Sequence, residues 1–529
     1  MQAGDAVSQC CEIFNKPGHD RAGTLLLLSN AGIPGGNRVR LAAIILCLLI
    51  AAPAYAQGAR SAPWSDAEIA SLGDALAEAW THGLDPADYP DPAALRALPA
   101  GRERDRAAHS AWFAYAEDLA FGRVDPRSLN EDWTATVRDQ DLMTVYARAR
   151  EGGAIYESFE ALAPAHPDYA ALRAELVRRV TLPAPDAPIP GGPALGVGDQ
   201  GPRVDALRAR LHELGLLTDP GRPGEVFDAR LESALMRFQA RRNLAADGRA
   251  GASTIAELNA GEDRRIGQLR ANLERWRWLA ADLGERHIRV NIADYRLEAW
   301  SGGRIERVHD AQIGTRYAST PVFSEDMSII EINPWWLTPG GLGSRWVETF
   351  RRNPAYAYSQ GYHLVDLDTG RTVDAYSVDW TGRRFRVMQE PGPNNSMGQV
   401  KFLFPNVHNV YIHDTPHREV FTLSRRDDSA GCVRVRDPRA LAVWALAGEG
   451  WTPDRVHAAF DGERTVRVRL ENEIPVHILY FTAVTDDRGA VRFVHDVYGR
   501  DAPLIAALDG AALSPERRSA QAPDPNAAP

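Results

Sequence analysis

The spacing of apolar residues changes from a helical period to a strand-like period about half-way along the chain, and this change constrains the fold most. Over residues 57–182 the sequence is rich in alanine, and its apolar residues recur at helical spacing. Ser65, three residues before a glutamate, has the form of a capping box at a helix start. From Ile288 onward apolar and polar residues alternate, and Gly302-Gly303 predicts the turn of a β-hairpin. We therefore expect a multi-domain α+β fold, with helices first and a mainly-β domain last.

A small helical unit is predicted between these two parts. The Pro/Gly-rich stretch 183–195 is typical of a linker. The pattern over 196–260 predicts three short helices, with a turn at Asp247-Gly248 and an end near Asn259. The first two helices are expected to bury Val204, Leu207, Leu211, Leu214, Leu231, Ala234, Leu235 and Phe238.

The β domain contains a long aromatic-rich stretch without clean periodicity at 334–386. A connection of this length is usually a lid or a subdomain rather than a loop. The expected segments are, in order, an upstream extension with an export signal (1–56), a helical scaffold (57–182), a linker (183–195), a three-helix module (196–260), a connecting helix (261–287), the β domain (288–510) and a disordered tail (511–529).

The sequence near the N-terminus predicts a cleaved secretory signal. Two arginines precede an apolar run, Leu41 to Ala52, and Ala54-Tyr55-Ala56 has the form of a cleavage site. The run is shorter than the roughly 20 residues that a membrane-spanning helix needs, so no stable span is expected after cleavage. Residues 1–37 fit no part of a signal, which suggests a true start at Val39. The mature chain would begin near Gln57.

The charge distribution argues against a nucleic-acid partner. The formal net charge is −10, and basic residues are scattered among acidic ones rather than clustered. Nearly all basic residues are arginine, and Lys401 is the only lysine after the predicted signal. We interpret this preference as genomic base bias.

Cys432 would be the only thiol of the exported chain. The sequence has four cysteines, and Cys10, Cys11 and Cys47 all lie in or before the predicted signal. Exported proteins usually pair their thiols or lack them. A lone thiol is either a small buried apolar residue or a reactive group.

The surroundings of Cys432 favour a reactive group. A catalytic cysteine needs a base to form its thiolate, and His413 precedes it by 19 residues, a spacing that suits strand, loop and strand. Gly431 allows backbone N–H groups to approach a substrate oxygen, as an oxyanion hole requires. Asp437-Pro438 then begins a helix.

A zinc site is the alternative for this histidine-rich region. His408 and His413 are an odd number of residues apart, so on a strand they face opposite sides, and only His417 beyond the turn could approach either. The sequence has no H-E-x-x-H motif and no second cysteine here. We expect no metal.

The stretches YIHDTP and SAGCVRV together resemble the active-site region of L,D-transpeptidases with the YkuD-type catalytic fold, and more narrowly the large YcbB-like subgroup. The resemblance extends through NPWW, EPGPNNSMGQVKFLFPN and IPVHILYFTAV, and residues 196–260 resemble a three-helix peptidoglycan-binding domain. The wider family has a histidine two residues before the cysteine, where this chain has Ala430. The subgroup relies on the histidine of HDTP, which is His413 here.

The resemblance implies acyl transfer on the tetrapeptide stems of peptidoglycan, with Cys432 as nucleophile, His413 as general base and acid, and Gly431 in the oxyanion hole. The product would be a cross-link between two diaminopimelate residues, with release of D-Ala. Donor and acceptor stems would be the partners, carbapenems the expected inhibitors, and the periplasm of a Gram-negative envelope the location. No cofactor is implied.

Five further residues are implied at the substrate site. Arg434 would bind a stem carboxylate, or else form a structural salt bridge. Trp336 would line the donor pocket, or else belong to the core. Ser429, Tyr411 and Asn406 match family positions and would shape the site.

Two other functions share these features. An L,D-carboxypeptidase or endopeptidase would use the same cysteine without an amine acceptor. A non-catalytic wall-binding scaffold would retain the thiol without using it. The presence of His413, Gly431 and Cys432 at a working spacing argues against the scaffold.

Overall fold

The computed structural model describes residues 62–510, except 130–131, 136–137, 182–187, 243, 260–261, 383 and 487. The predicted export signal, the tail 511–529 and the first five residues of the predicted linker lie outside the described residues.

The helices come first along the chain and the strands dominate its second half, as the sequence predicts. The helices are α1 (Asp66–Ala77), α2 (Pro92–Ala97), α3 (Arg102–Phe121), α4 (Pro126–Leu129), α5 (Leu142–Gly152), α6 (Ile155–Leu162), α7 (Pro167–Val180), α8 (Pro202–Glu213), α9 (Ala229–Arg241), α10 (Ala252–Leu258), α11 (Glu262–Arg277), α12 (Gly340–Arg352), α13 (Pro354–Ser359), α14 (Pro438–Leu446), α15 (Pro453–Asp461) and α16 (Asp501–Gly510). Within the described ranges, no helix has the length and apolar character needed to cross a bilayer.

The strands form one large sheet and two small ones. They are β1 (Trp133–Thr134), β2 (Arg286–Asn291), β3 (Arg296–Ser301), β4 (Arg304–Gly314), β5 (Val322–Ile332), β6 (Trp336–Leu337), β7 (Tyr362–Asp366), β8 (Thr372–Val373), β9 (Phe385–Gln389), β10 (Val400–Leu403), β11 (Ile412–His413), β12 (Asp427–Ser429), β13 (Val433–Val435), β14 (Val466–Leu479), β15 (Ala483–Thr485) and β16 (Val491–Phe493).

Helices α1, α2, α3, α5 and α6 pack around a core of their own. Trp112 is fully buried at its centre, and its ring contacts those of Phe113, Tyr146 and Phe159. At the start of α1 the predicted capping box is present. The Ser65 hydroxyl accepts from the Glu68 N–H, and the Glu68 carboxylate accepts from the Ser65 N–H. The first unit is therefore helical, as expected.

Helices α8 to α10 form the predicted three-helix module, with one correction. The expected apolar residues are buried, except that Leu214 is 37% exposed. Helix α8 ends at Glu213, and Gly215 has a φ of +66°, so Leu214 no longer follows the helical period. At the predicted turn Gly248 has a φ of +69°, and its N–H donates to the Gln239 side chain at 3.0 Å.

Helix α11 shares a core with the large sheet and contacts the first unit through a buried ion pair. Glu274 and Arg277 have fully buried side chains, and the pair measures 2.6 Å. Glu274 also accepts from the backbone N–H of Val124, and Arg277 donates to the carbonyl of His82. Loss of either partner would leave a buried charge unpaired, which costs about 3–5 kcal/mol. The two units are therefore held together at α11.

The large sheet closes on itself. Its order is β5-β10-β11-β13-β4-β3-β2-β14, and β14 pairs back with β5. The predicted hairpin joins β3 to β4, and Gly302 and Gly303 both have positive φ. Strand β1, from the first helical unit, extends the sheet by parallel pairing of Trp133 with Val322.

The insertion between β5 and β10 is a folded subdomain. Strands β6, β9, β7 and β8 form its sheet, in that order, and α12 and α13 belong to it. Its core includes Phe350, Leu364 and Val387, all fully buried. The subdomain ends with β9 at Gln389, three residues beyond the predicted boundary.

Candidate active site

His413 ends strand β11, and Cys432 immediately precedes the adjacent parallel strand β13. Strand β11 pairs with β13, and Ile412 lies opposite Val433. The next pair is His413 and Arg434. Ile412 and Val433 are fully buried on one face, so alternation assigns His413, Arg434 and the preceding Cys432 to the other. This register separates the Cα atoms of Cys432 and His413 by roughly 8 Å, within reach of side-chain contact.

The His413 ring has a defined tautomer. Its Nδ1 lies 2.5 Å from the carbonyl oxygen of Asp414, which can only accept, so Nδ1 carries the proton. In the neutral ring Nε2 is then the basic nitrogen. Burial, together with the nearby charges of Arg434 and Lys401, lowers the pKa of His413 to about 3, although two backbone carbonyls raise it. His413 is therefore neutral at physiological pH.

His413 is the middle member of a polar row that crosses five strands. The register aligns Glu331, Lys401, His413, Arg434 and Gln312 on β5, β10, β11, β13 and β4. The Lys401 Nζ lies 3.2 Å from Glu331. At the other end of the row, Arg434 donates to Gln312 at 3.0 Å. The row thus places one cation on each side of the imidazole.

Arg434 has no carboxylate partner among the described residues, so the structural salt bridge considered above is not formed there. The Nε atom of Arg434 is also buried, and it has no hydrogen-bond partner among the described residues. An anionic group of a ligand would satisfy this guanidinium.

The Cys432 thiol is free and half-buried. Its Sγ lies 4.0 Å from the carbonyl oxygen of Asn409. Burial raises the pKa of Cys432, and this effect is only partly offset by the Tyr411 N–H and by the charges of Arg434 and Lys401. A neutral thiol and a neutral imidazole are thus the resting state.

The loop that carries Cys432 is held by the Ser429 hydroxyl. Its Oγ donates to the Cys432 carbonyl at 2.7 Å and accepts from the Gly431 N–H at 3.1 Å. On the other side of the loop, Thr320 Oγ1 donates to the Gly431 carbonyl at 2.8 Å. Gly431 has a φ of +114°, which a residue with a side chain rarely adopts.

The backbone N–H of the cysteine itself is an unpaired donor near the sulfur. The Cys432 N–H has no hydrogen-bond partner among the residues that the structure describes. Of the backbone N–H groups around Gly431 and Cys432, that of Gly431 donates to the Ser429 hydroxyl, which leaves the Cys432 N–H for an oxyanion. Gly431 contributes its conformation, and Ser429 holds the loop.

Three segments of the chain match known families. Residues 285–460 match the family described as "L,D-transpeptidase catalytic domain". Residues 51–176 match a "Scaffold domain", and residues 200–258 match a "Putative peptidoglycan binding domain". Residues 285–460 are thus similar to the catalytic domains of L,D-transpeptidases. The expected order of scaffold, binding module and YkuD-type domain is confirmed.

One relative has a name that agrees with this family description. A protein of Haemophilus influenzae named "Putative L,D-transpeptidase" is 31% identical over 217 residues, which are 40% of this chain and 44% of that protein. The match thus spans less than half the length of this relative.

Solved structures with the same description are more distant. L,D-transpeptidases of Xylanimonas cellulosilytica and Mycobacterium smegmatis are 15% and 12% identical, both with TM-scores of 0.17. They cover 55% and 37% of this chain and 99% and 58% of their own. An L,D-transpeptidase in complex with imipenem is 12% identical, with a TM-score of 0.18, over 37% of this chain and 59% of its own.

Two residues predicted at the substrate site, Trp336 and Tyr411, belong to or contact the core of the insertion. Trp336 is only 6% exposed and belongs to the insertion core, so it is a core residue and not an open pocket wall. Tyr411 is half-buried, packs against that core, and has its ring 5.7 Å from the His413 ring. Tyr411 therefore joins the insertion to the site.

Asn406 shapes the segment that leads into β11. Its Nδ2 donates to the carbonyls of Phe404 and Val410, and its Oδ1 accepts from the backbone N–H groups of His408 and Val410. With all of these bonds made, the amide has little capacity left for a ligand. Its position supports a structural role.

The other two histidines of this region lie apart from the sulfur. His408 is 3.0 Å from the Thr134 hydroxyl, and the exposed His417 is 3.4 Å from Glu419. In the described part of the chain no three His, Cys, Asp or Glu side chains form a group that could hold a metal ion.

Two residues at this site were not predicted from the sequence. The arginine preference was attributed to base bias and Lys401 was given no role, although its rarity in an arginine-rich chain was a usable signal. Thr320 precedes Cys432 by more than a hundred residues and belongs to no motif that we identified.

Proposed function

We propose that the protein is a periplasmic L,D-transpeptidase that links two diaminopimelate residues of peptidoglycan through a cysteine acyl-enzyme. The donor is a tetrapeptide stem, and the acceptor is the side-chain amine of a second stem. Neither a metal nor an organic cofactor takes part in the proposed steps.

Acylation begins at the sulfur. Cys432 Sγ attacks the carbonyl carbon on the L-centre of meso-diaminopimelate, and the thiol proton passes to His413 Nε2. The carbonyl oxygen becomes an oxyanion that accepts from the Cys432 N–H. The C–N bond to D-Ala then breaks, the protonated His413 gives its proton to the leaving amine, and a thioester remains.

Transfer repeats these steps in reverse order. The neutral amine of the acceptor stem attacks the thioester carbonyl and loses a proton to His413. The C–S bond breaks, the sulfur takes that proton back, and a new amide joins the two stems. Water in place of the amine would release a tripeptide stem, so the insertion beside Tyr411 is proposed to limit access of water.

The single observation that carries the proposal is the shared face of His413 and Cys432, with the Nδ1 of His413 engaged by a backbone carbonyl. The unpaired Cys432 N–H and the buried, incompletely bonded Arg434 support it. Arg434 would bind a carboxylate of the donor stem.

The test is incubation of the purified protein with disaccharide-tetrapeptide from diaminopimelate-type peptidoglycan, followed by mass spectrometry. We expect dimers that have lost one D-Ala, and no dimers with Cys432→Ala or His413→Asn. Tripeptide monomers alone would indicate an L,D-carboxypeptidase. Dimers formed by the Cys432→Ala variant would refute the thiol mechanism.

A second readout tests the acyl-enzyme directly. Imipenem should add its mass to the peptide that contains Cys432, and this adduct should be missing from the Cys432→Ala variant. The location is tested separately, by fractionation of cells and N-terminal sequencing of the exported protein, which we expect to begin near Gln57.

A further inference from the structure

Thr320 lies directly behind the Cys432 loop and is fully buried. Its Oγ1 donates to the Gly431 carbonyl at 2.8 Å and accepts from the Gly314 N–H at 2.9 Å. The Thr320 hydroxyl therefore donates its single hydrogen bond to the peptide group that joins Gly431 to Cys432.

That peptide group also carries the unpaired N–H of Cys432. In a trans peptide the C=O and the N–H are coplanar and point in opposite directions, and the described residues contain no cis peptide bond. A hydrogen bond that draws the Gly431 oxygen towards Thr320 therefore directs the Cys432 N–H away from Thr320. The hydrogen bond from Thr320 to the Gly431 carbonyl thus determines the direction of the Cys432 N–H.

Thr320 is itself held by a buried network from the C-terminal part of the domain. Its N–H donates to Tyr498 Oη at 3.1 Å, and that hydroxyl donates to the Gly314 carbonyl at 2.7 Å. The Tyr498 N–H donates to Tyr480 Oη at 2.9 Å, and the Tyr480 hydroxyl donates to Asp496.

Gly314 permits the close approach that this network requires. A Cβ on Gly314 would lie 2.1 Å from the Ala318 carbonyl oxygen and 3.0 Å from the Gly431 Cα. The two chain segments thus touch at backbone level, and the Thr320 hydroxyl has little freedom to move.

We propose that Thr320 is a positioning residue that aims the Cys432 N–H at the oxyanion of the acyl-transfer reaction. The inference rests on the proposed function, because only an acyl transfer builds negative charge on an oxygen beside the sulfur. It predicts that Thr320 affects reactions at a carbonyl and not the reactivity of the thiol as such.

The test compares two reactions of the same sulfur. Iodoacetamide alkylates a thiolate by displacement of iodide and needs no oxyanion donor, whereas imipenem acylates through an oxyanion. We compare the wild type with Thr320→Val, which removes only the hydroxyl, and with Thr320→Ser, which keeps it. Thr338→Val is the matched control, since Thr338 is also buried and its Oγ1 also donates to a backbone carbonyl at 2.8 Å.

Loss of one oxyanion donor costs about 10²–10³-fold in rate, and a misdirected donor should cost part of that. We therefore expect Thr320→Val to slow imipenem acylation by about 10–100-fold and to change alkylation by less than about twofold. Thr320→Ser should recover most of the acylation rate, and Thr338→Val should leave the ratio of the two rates at the wild-type value. Melting curves identify any variant that does not fold.

Three outcomes are decisive. Acylation of Thr320→Val at the wild-type rate overturns the inference. An equal fall of acylation and alkylation in a folded Thr320→Val variant also overturns it, because Thr320 would then hold the sulfur rather than the N–H. If the wild type is alkylated but never acylated, the proposed function itself fails, which the variants cannot mimic.

Discussion

The protonation states at the site predict an unusual pH dependence for the thiol. Between pH 5 and 8.5 the rate of Cys432 alkylation by iodoacetamide should rise about tenfold per pH unit, with no plateau near neutrality. The reason is that burial raises the pKa of the thiol while burial and two cations lower the pKa of His413. Such a pair does not form a stable thiolate–imidazolium ion pair.

The magnitude follows from the two pKa values. The thiol titrates above its ordinary value of 9.0 and His413 at about 3, so the two are at least about six units apart. A gap of this size strongly favours the neutral thiol and imidazole over the ion pair in the free protein. Ionisation to solvent leaves at most about one thiolate in a hundred at pH 7.

The assay is mass spectrometry of the Cys432 peptide after timed exposure to iodoacetamide at constant ionic strength. The same chain in concentrated urea provides the rate of an accessible thiol with an ordinary pKa. His413→Asn is the second control. It should leave alkylation nearly unchanged and abolish acylation by imipenem, because the base is needed only when the substrate carbonyl is attacked.

One result would refute this reasoning. A plateau of alkylation that extends below pH 7, faster than the denatured chain and lost in His413→Asn, would demonstrate a resting ion pair. The proton would then lie on His413 before substrate binds, and the low His413 pKa would be wrong.

Three further predictions concern stability and substrate binding. The free energy of unfolding should fall by up to about 4 kcal/mol per pH unit as the pH drops from 6.5 towards 4. The reason is that His166, His287 and His413, with pKa values lowered to about 4, 4 and 3, stay neutral in the folded protein and bind protons in the unfolded chain. Urea titrations at several pH values test this, and a constant stability would contradict it. Arg434→Met should raise KM for tetrapeptide stems by about 10–100-fold, the value of a charge-assisted hydrogen bond, with a much smaller change in melting temperature; unchanged kinetics would exclude a role for Arg434 in stem binding. Asn406→Ala should lower the unfolding free energy by about 1–3 kcal/mol, because it leaves buried backbone groups unpaired; an unchanged chemical-denaturation midpoint would show that those bonds are not needed.

Local features of the fold could be predicted from the sequence, and distant pairings could not. The β3–β4 hairpin depends on two adjacent glycines, and the helical face of α9 on a repeat within one helix, so both were predictable. The parallel pairing of Trp133 with Val322 joins chain segments nearly 190 residues apart. Nothing in the local sequence around either residue indicates its partner.

The same limit applies to the candidate site. Cys432 and His413 were predicted together because their spacing fits two neighbouring strands and both stand in short motifs. Ser429 was expected at the site, but its hydrogen bonds to the Gly431 N–H and the Cys432 carbonyl were not. They depend on a backbone conformation that the sequence indicates only through the glycine. Thr320 reaches Gly431 across 111 residues, and no pattern in either segment signals the contact.

The electrostatics of His413 follow from the register of the sheet rather than from its motif. Lys401 and Arg434 come from different strands. Each lies beside His413 because β10 and β13 pair with β11 in the register that places these residues opposite His413. A slip of β10 by one residue would turn the Lys401 side chain into the core and bring an apolar neighbour such as Phe402 to the site face. The motif thus determines which atoms can react, and three strands in one register determine where the proton rests before they do.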